Sequence, residues 1–476
     1  MSSSPSYDVS TGPSLDAAPD PTQPPPMDGL RGRLHRLAGP IIAEQVLQLS
    51  LDLANTALVA GLGAAALAAV GASLQVMFIV LSSLAALSVG CSILVAHTIG
   101  AGDTHRASQL ARQALVWSGI LALPFVAIGI VGAPVIVAGF GLDAEAAPLA
   151  ISYLRITMGT AGVIVGLDVL GGALRGAGDS KTPMVATLVA AVLNVPLAWA
   201  LIEGRGPFPE LGVSGAAWAT FVSRGVGLCL LVAALWQGRR GMTIAGRQGW
   251  RPRRELISEV LRLGIPAAGE QLLISTAWLA VTMMISHVGT DELAVHRVVN
   301  QLMSMAFLVG FGVQIAHTSM LGRALGAGDV PRAMTITRMA TRDGVALVCI
   351  VAVALWVFAE PIVRLFLDDP ALVDLGVRTM HVMVFTQPFW AIAIQQSGAM
   401  RGMRDTVSPL VIEGVSNWTA AGLIAIVLFG FGGHLTAAWA CYVVVGPFLA
   451  GAMLLARRRR ERLYLASVRP AAVIAA

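Results

Sequence analysis

Charge is scarce in this chain. Asp, Glu, Lys and Arg make up only 12% of its 476 residues, about half of what a water-soluble domain carries. A soluble enzyme or scaffold is therefore excluded. Cysteine is sparse as well. Cys91, Cys229, Cys349 and Cys441 are scattered through apolar stretches, with neither a disulfide framework nor metal-ligand spacing, and read as packing residues. A Gly-Lys-Ser/Thr phosphate loop and a sizeable soluble segment are both missing, which counts against ATP drive. No His/Asp/Ser constellation gathers at one depth, which counts against an enzyme. No charged start leads into an apolar run at the N terminus, so residues 1–30, rich in Ser, Pro and Asp, are expected to form a disordered cytoplasmic tail and not a signal peptide.

What the chain does have is apolar length. Hydrophobic residues reach 56% and mean hydropathy is +0.75. Apolar segments fall at 39–60, 70–97, 112–139, 148–172, 182–202, 213–236, 263–287, 297–320, 341–362, 378–399, 407–430 and 434–456. Each is long enough to cross a bilayer as a helix. The expected fold is an all-α integral membrane protein of twelve transmembrane helices.

The second half repeats the first at one constant offset. Pro40, Glu44 and Gln45 return as Pro266, Glu270 and Gln271, Gly100–Asp103 as Gly326–Asp329, and Arg175-Gly176 as Arg401-Gly402. The register slips slightly beyond, where Asn194 answers to Asn417 and Ala216–Ala219 to Ala437–Ala440. An apolar chain of two like halves is the mark of a transporter with its path between them. The expected organisation is an N-lobe at 31–237, a basic cytoplasmic linker at 238–262, a C-lobe at 263–456 and a basic cytoplasmic tail at 457–476.

Placing both termini in the cytoplasm puts 26 of the 32 Lys and Arg on the inner side and four in outer loops, with Arg155 and Arg224 inside spans. That asymmetry fixes the expected orientation, in a cell inner membrane. It also accounts for the net charge of +5 without nucleic acid as a partner. Six helices is an even number, so both lobes enter from the same side and their pseudo-twofold axis runs along the membrane normal.

The repeated turns carry glycines that permit left-handed backbone, Gly102 and Gly328 among them. Asp103, Asp179 and Asp329 are placed to cap the following helices, and Asp405 belongs to the last of the four turns. Arg175 and Arg401 are placed to bond the carbonyls that end the preceding helices. These turns read as structure, with a lesser role in opening and closing an inner gate.

Taken together, the duplicated six-helix unit, Gly-Ala-Gly-Asp after the second helix, Leu-Arg-Gly-x-Gly-Asp-x-x-x-Pro before the fifth and Gly-x-x-Gly-Ala-Ala-Trp-Ala entering the sixth resemble the multidrug and toxic compound extrusion (MATE) transporters. The resemblance covers roughly residues 33–460 and is to bacterial members, DinF-like rather than NorM-like. It implies antiport, with H⁺ or Na⁺ entering as an organic cation or other amphiphile leaves. No cofactor beyond the transported ion and no structural metal are expected. The expected partners are a small-molecule substrate and membrane lipid, and the expected state is a monomer.

Ionisable groups at bilayer depth are costly and are functional candidates by default. In the first helix Glu44, Gln48, Asp52 and Asn55 fall on one face. Asp52 lies about 18 Å along the helix from Pro40. The equivalent positions of the second half are Glu270, Ile274, Trp278 and Val281, so ion chemistry on this stripe belongs to the N-lobe. Many relatives place an aspartate where this chain has Asn55, and another four residues after the asparagine matching Asn194, where this chain has Ala198. Asp52 is the candidate replacement. Arg224 is expected to pair with Asp52 or with Asp168, and the ion-coupling set is Asp52, Asn55, Asn194, Glu44, Asp168 and Arg224. Glu413 is a further buried carboxylate of the second lobe.

The C-lobe concentrates adaptable apolar and aromatic surface suited to organic cations. Trp278, Met283, Trp390, Gln387 and Gln395, with Gln48 of the N-lobe, are the substrate-cavity candidates. Pro124, Pro196, Pro388 and Pro447 mark expected bends. The resulting expectation is a cation-coupled antiporter working by alternating access. A flippase for lipid-linked precursors, or another metabolite exporter of the same superfamily, is the alternative.

Overall fold

The expected apolar spans all form helices, and most helices run past the apolar stretch that predicted them. The computed structural model describes residues 29–246 and 249–474. The stretch expected to be disordered lies, but for Gly29 and Leu30, outside the described residues, as does Arg247. In the first half the helices are α1 (Leu30–Ala60), α2 (Ala64–Gly100), α3 (Thr104–Ala138), α4 (Ala146–Gly159), α5 (Ala161–Gly176), α6 (Lys181–Glu203) and α7 (Val213–Trp236). In the second they are α8 (Arg254–Ser286), α9 (Thr290–Gly326), α10 (Val330–Val357), the short α11 (Ala359–Val363), α12 (Pro370–Val384), α13 (Gln387–Gly402), α14 (Val407–Ala425) with a π turn (Ile426–Gly430), and α15 (Leu435–Ile474).

Twelve spans result when α4 joins α5 and α12 joins α13. Among the described residues nine helices are apolar enough to cross a membrane alone, and α4–α5, bent by 44°, makes a tenth. The two remaining spans, α1 and α12–α13, are the ones diluted by Glu44, Gln48 and Asp52 and by Gln387, Gln395, Gln396 and Arg401.

Both fourth spans break at the same place in the repeat. Thr160 and its counterpart Thr386 bend their hydroxyls back to Ile156 O at 2.9 Å and Met383 O at 2.6 Å. These bonds satisfy backbone carbonyls at each break. Pro388 sits at the start of α13, as its effect on a helix requires. Pro124, Pro196 and Pro447, expected as bends, instead lie inside unbroken helices.

Between the lobes, residues 237–246 and 249–253 are strapped to α3. Arg112 donates to the carbonyls of Thr243 and Ala245, and Gln113 donates to those of Gly249 and Arg251 while accepting from Arg253 N. The expected linker is shorter than its basic stretch, because α8 begins at Arg254. The expected C-terminal tail continues as α15 instead of leaving the helix.

The ends of the helices that carry most of the arginines form one end of the molecule, here the basic end. There the lobes exchange their first turns. Leu30, Leu34, Ala38 and Ile41 of α1 are buried in a cluster of C-lobe residues from α9, α10 and α13. Ile257 and Val260 of α8 are buried in the core of the N-lobe. Glycines let the backbones meet. A Cβ on Gly264 would strike Ala86 O, and one on Gly90 would strike Val260 O. On the pseudo-twofold axis α2 crosses α9. A Cβ on Gly100 would collide with Arg323 O, and one on Gly326 with His97 O, the same contact made twice. The first glycine of each Gly-Ala-Gly-Asp therefore serves the helix crossing. The second, Gly102 (φ 78°) or Gly328 (φ 74°), makes the left-handed turn.

Candidate functional site

The turns at the basic end fold as their residues dictate. Asp103 and Asp329 cap α3 and α10 through Arg106 N at 2.8 Å and Arg332 N at 3.0 Å. Asp179 and Asp405 hold the backbone N–H groups of Thr182 and Ser408 and their hydroxyls. The arginines behave differently from expectation. Arg175 does not bond the carbonyls ending α5; its Nη1 donates to both Glu44 oxygens, at 2.9 and 3.0 Å. Arg401 likewise donates to Glu270 at 2.9 Å. A buried carboxylate one turn into the neighbouring helix is a stronger partner than a carbonyl at a wet helix end.

This end is sealed by contacts between lobes. Ser319 of α9 donates to Arg175 O at 2.6 Å, and His97 of α2 meets Gly402 O at 2.8 Å. Arg31 of α1 pairs with the buried Asp343 of α10 at 2.8 Å, and Arg106 of α3 with Glu259 of α8 at 2.9 Å.

Toward the opposite end α1 presents Asp52 and Thr56 exposed, with Gln48 and Asn55 half-buried. Leaving such a stripe against lipid would be costly. That cost, with the lobes sealed together at the basic end, implies a cleft between them that opens away from it.

Behind that stripe the N-lobe holds a file of charge. Glu44 pairs with Arg175, and Thr187 also reaches Glu44, at 3.4 Å. Asp168 of α5, half-buried, lies within electrostatic reach of Arg175, Glu44 and Arg224. Arg224 of α7 is also within reach of Asp52. The expected Arg224 ion pair is not closed with either aspartate, although Arg224 is within electrostatic reach of both. Asn194, fully buried, donates to Ser223 Oγ at 3.1 Å and Thr220 Oγ1 at 3.4 Å, and its Oδ1 has no partner. Asn55 Oδ1 is also buried without a partner.

Of this file the C-lobe keeps Glu270 and Arg401, while the positions of Asp52, Asp168 and Arg224 are stripped of charge. Trp278 stands for Asp52 and Ile394 for Asp168. The buried faces of α7 and α15 match when Ser223, Gly227 and Leu231 are laid on Val445, Leu449 and Met453, which puts Gly446 at the place of Arg224. Aromatic rings fill the space instead. Trp278 stacks on Tyr442 at 5.6 Å and lies 5.5 Å from Trp439, and Trp390 lies 5.3 Å from Phe307. Trp278 is half-buried on the face of α8 that matches the exposed stripe of α1.

The remaining cavity candidates sit apart from this cluster. Met283 is exposed near the end of α8. Gln387 and Gln395 are buried, and their amides donate to Met303 Sδ and to Gly310 O. Trp439 and Tyr442 join this cluster without having been among the cavity candidates. The Ala-Ala-Trp-Ala motif flagged Trp439, but its counterpart Trp218 is 41% exposed while Trp439 is 2% exposed, so the motif alone does not give the facing. In the C-lobe Glu413 takes the place of Thr187, beside Glu270 and Arg401. Among the described residues no group of three or more His, Cys, Asp or Glu is placed to hold a metal ion.

The MatE family description matches residues 40–200 and 266–426, two segments in the same register as the internal repeat. A protein from Thermotoga maritima named probable multidrug resistance protein NorM is 31% identical over 410 residues, 84% of this chain and 86% of that protein. Probable multidrug resistance protein YoeA of Bacillus subtilis is 26% identical over 77% of this chain and 80% of its own length. A structure described as the outward-facing conformation of a multidrug resistance MATE family transporter of the MOP superfamily superposes with a TM-score of 0.83 at 25% identity, covering 92% of this chain and 98% of that one. A Pyrococcus furiosus transporter of the MOP superfamily, described as having a binding pocket of reverse polarity, superposes equally well at 25% identity over 91% of this chain and 96% of its own. The chain belongs to the MatE family and is a multi-pass membrane transporter, not an enzyme.

Proposed function

We propose that the protein is an H⁺- or Na⁺-coupled antiporter that exports amphiphilic cations by alternating access. One observation carries this reading: the wall of the cleft formed by α1 bears Asp52 with Arg224 and Asp168 behind it, while the equivalent positions of the other lobe bear Trp278 and its aromatic neighbours. A carboxylate that an arginine only partly neutralises attracts a small cation. An aromatic wall attracts an organic one. Both lie on a cleft closed at the basic end, so ion binding and substrate release are coupled through one opening.

The arginine distribution supports a basic end in the cytoplasm of a bacterial cell, and hence an outward-open cleft. A monomer is sufficient, since both walls come from one chain. Flipping of lipid-linked precursors is less well supported, because the file behind the cleft holds, among the described residues, two cations, Arg224 and Arg175, and Arg175 is paired with Glu44. The Thermotoga relative carries a NorM name, and the proposal rests on neither the NorM-like nor the DinF-like subtype.

The test is uptake of a cationic dye into inside-out vesicles under an imposed pH or Na⁺ gradient. Native protein accumulates dye with one of the two gradients, and Asp52→Asn does not. Failure of both gradients with native protein, or unchanged uptake in Asp52→Asn, would sink the reading.

A further inference from the structure

The two sides of the basic end are built from equivalent residues, and one side is missing its anion. On the first side Arg106, at the start of α3, grips Glu259 of α8 through both carboxylate oxygens, at 2.9 and 3.1 Å. This pair joins the N-lobe to the first helix of the C-lobe. On the other side the repeat places Arg332, at the start of α10, opposite Arg33 of α1. The pairing of elements is the same, but an arginine stands where the carboxylate should be.

Two more arginines join them. Arg323, ending α9, lies within electrostatic reach of Arg33, Arg332 and Arg240. Its guanidinium lies over the backbone of Gly178 in the facing lobe, and its Nε donates to Ser319 O at 3.3 Å. Arg240 belongs to the connection between lobes and holds a left-handed backbone, φ 53°, a conformation unfavourable for a side chain of this size. Arg332 is 4% exposed, and its Nη2 is buried without a partner. Arg33 and Arg323 are half-buried, and Arg240 is exposed, so the cluster has a mouth. The one acidic group within reach of Arg332 is Asp329, whose Oδ1 is already committed to Arg332 N as the cap of α10. Among the described residues no carboxylate closes an ion pair with any of the four guanidiniums.

Four like charges from α1, the lobe connection, α9 and α10 repel across the seam, and a buried unpaired guanidinium nitrogen is costly. We propose that Arg33, Arg240, Arg323 and Arg332 form a binding site for a phosphate-bearing anion, which replaces the absent carboxylate and ties the two lobes together at the basic end. Arginine forks match the oxygens of a phosphate group and can share one group among several donors. The phosphate comes either from the headgroup of an anionic lipid or from a soluble phosphate compound. Its departure leaves the cluster self-repelling, so occupancy favours the arrangement in which this end is shut.

The test uses full-length protein in phosphatidylcholine nanodiscs, in phosphatidylcholine nanodiscs with added inorganic pyrophosphate, and in nanodiscs containing phosphatidylglycerol, at one ionic strength. The thermal midpoint of the native protein rises by about 5 °C with pyrophosphate or with phosphatidylglycerol, as expected for a ligand near saturation. A rise with pyrophosphate assigns a soluble anion, and a rise with phosphatidylglycerol alone assigns a headgroup. Arg33→Glu rebuilds the Arg106–Glu259 arrangement and abolishes the rise without lowering the starting midpoint. Arg332→Met also abolishes the rise, whatever its own midpoint. A native protein unmoved by both anions, or an Arg33→Glu protein that gains as much as the native one, overturns the site.

Discussion

Arg175 reaches back from the end of α5 to hold Glu44 of α1 at 2.9 Å, and in the second lobe Arg401 holds Glu270 in the same way. Both pairs are largely buried, with the glutamate side chains 8% and 4% exposed. Each ties the first span of a lobe to the break-and-turn unit of its fourth. Their retention in both lobes fits a framework role, and the proposed ion coupling rests instead on residues that only one lobe carries.

Removing one partner therefore strands a buried charge. Arg175→Ala is expected to destabilise the protein by about 3 kcal/mol, and Glu44→Gln combined with Arg175→Met by much less. Thermal unfolding in detergent across the double-mutant cycle measures the difference. A loss in the double variant equal to the sum of the two single losses would show that the pair is not coupled.

Gly100 and Gly326 allow α2 and α9 to touch at the axis. Gly100→Leu is expected to hold the basic end apart and to stop transport while leaving each lobe folded. Spin labels at the exposed positions His105 and Thr335 would report a longer distance than in the native protein. An unchanged distance would mean that the crossing tolerates a side chain.

Trp278 is the aromatic residue of the C-lobe cluster that stands opposite Asp52 in the repeat. Trp278→Leu keeps apolar bulk and removes the ring face. Affinity for a quaternary ammonium dye should fall about fivefold to thirtyfold, the loss of about 1–2 kcal/mol carried by a cation over a partly desolvated ring. Fluorescence titration of purified protein gives the number, and a neutral dye of similar size should bind as before.

Arg224 opposes any cation that approaches Asp52 or Asp168. Arg224→Gln removes that opposition and should lower the ion concentration giving half-maximal dye exchange by about tenfold, the equivalent of about 1.4 kcal/mol. Release of the ion becomes correspondingly slow, so maximal turnover should fall. A shift toward weaker ion binding would contradict the placement of Arg224 beside the proposed coupling carboxylates.

The architecture was legible because it is written in long-range statistics. Twelve apolar stretches, a repeat and a lopsided arginine count survive any error about a single residue. The unequal fate of Asp52 and Trp278 could also be seen by laying the halves side by side. What escaped was facing and reach. Sequence places Arg175 at a helix end but does not say whether its side chain turns to a carbonyl or to Glu44. Trp218 and Trp439 share a motif, yet a rotation of about one residue between α7 and α15 turns one outward and buries the other. The glycines at 100 and 326 looked like parts of a turn, because the backbone they touch lies in the other half of the chain.

The exchange of first turns has a consequence for how the halves exist apart. Leu30–Ile41 find their apolar partners only in the second half, and Ile257–Val260 only in the first. Neither repeat is a self-sufficient unit, although each arose as a copy of the same one. A chain cut between α7 and α8 would yield two fragments, each with an unmatched greasy arm and a matching vacancy, and their reunion would be driven by the surfaces that shut the basic end.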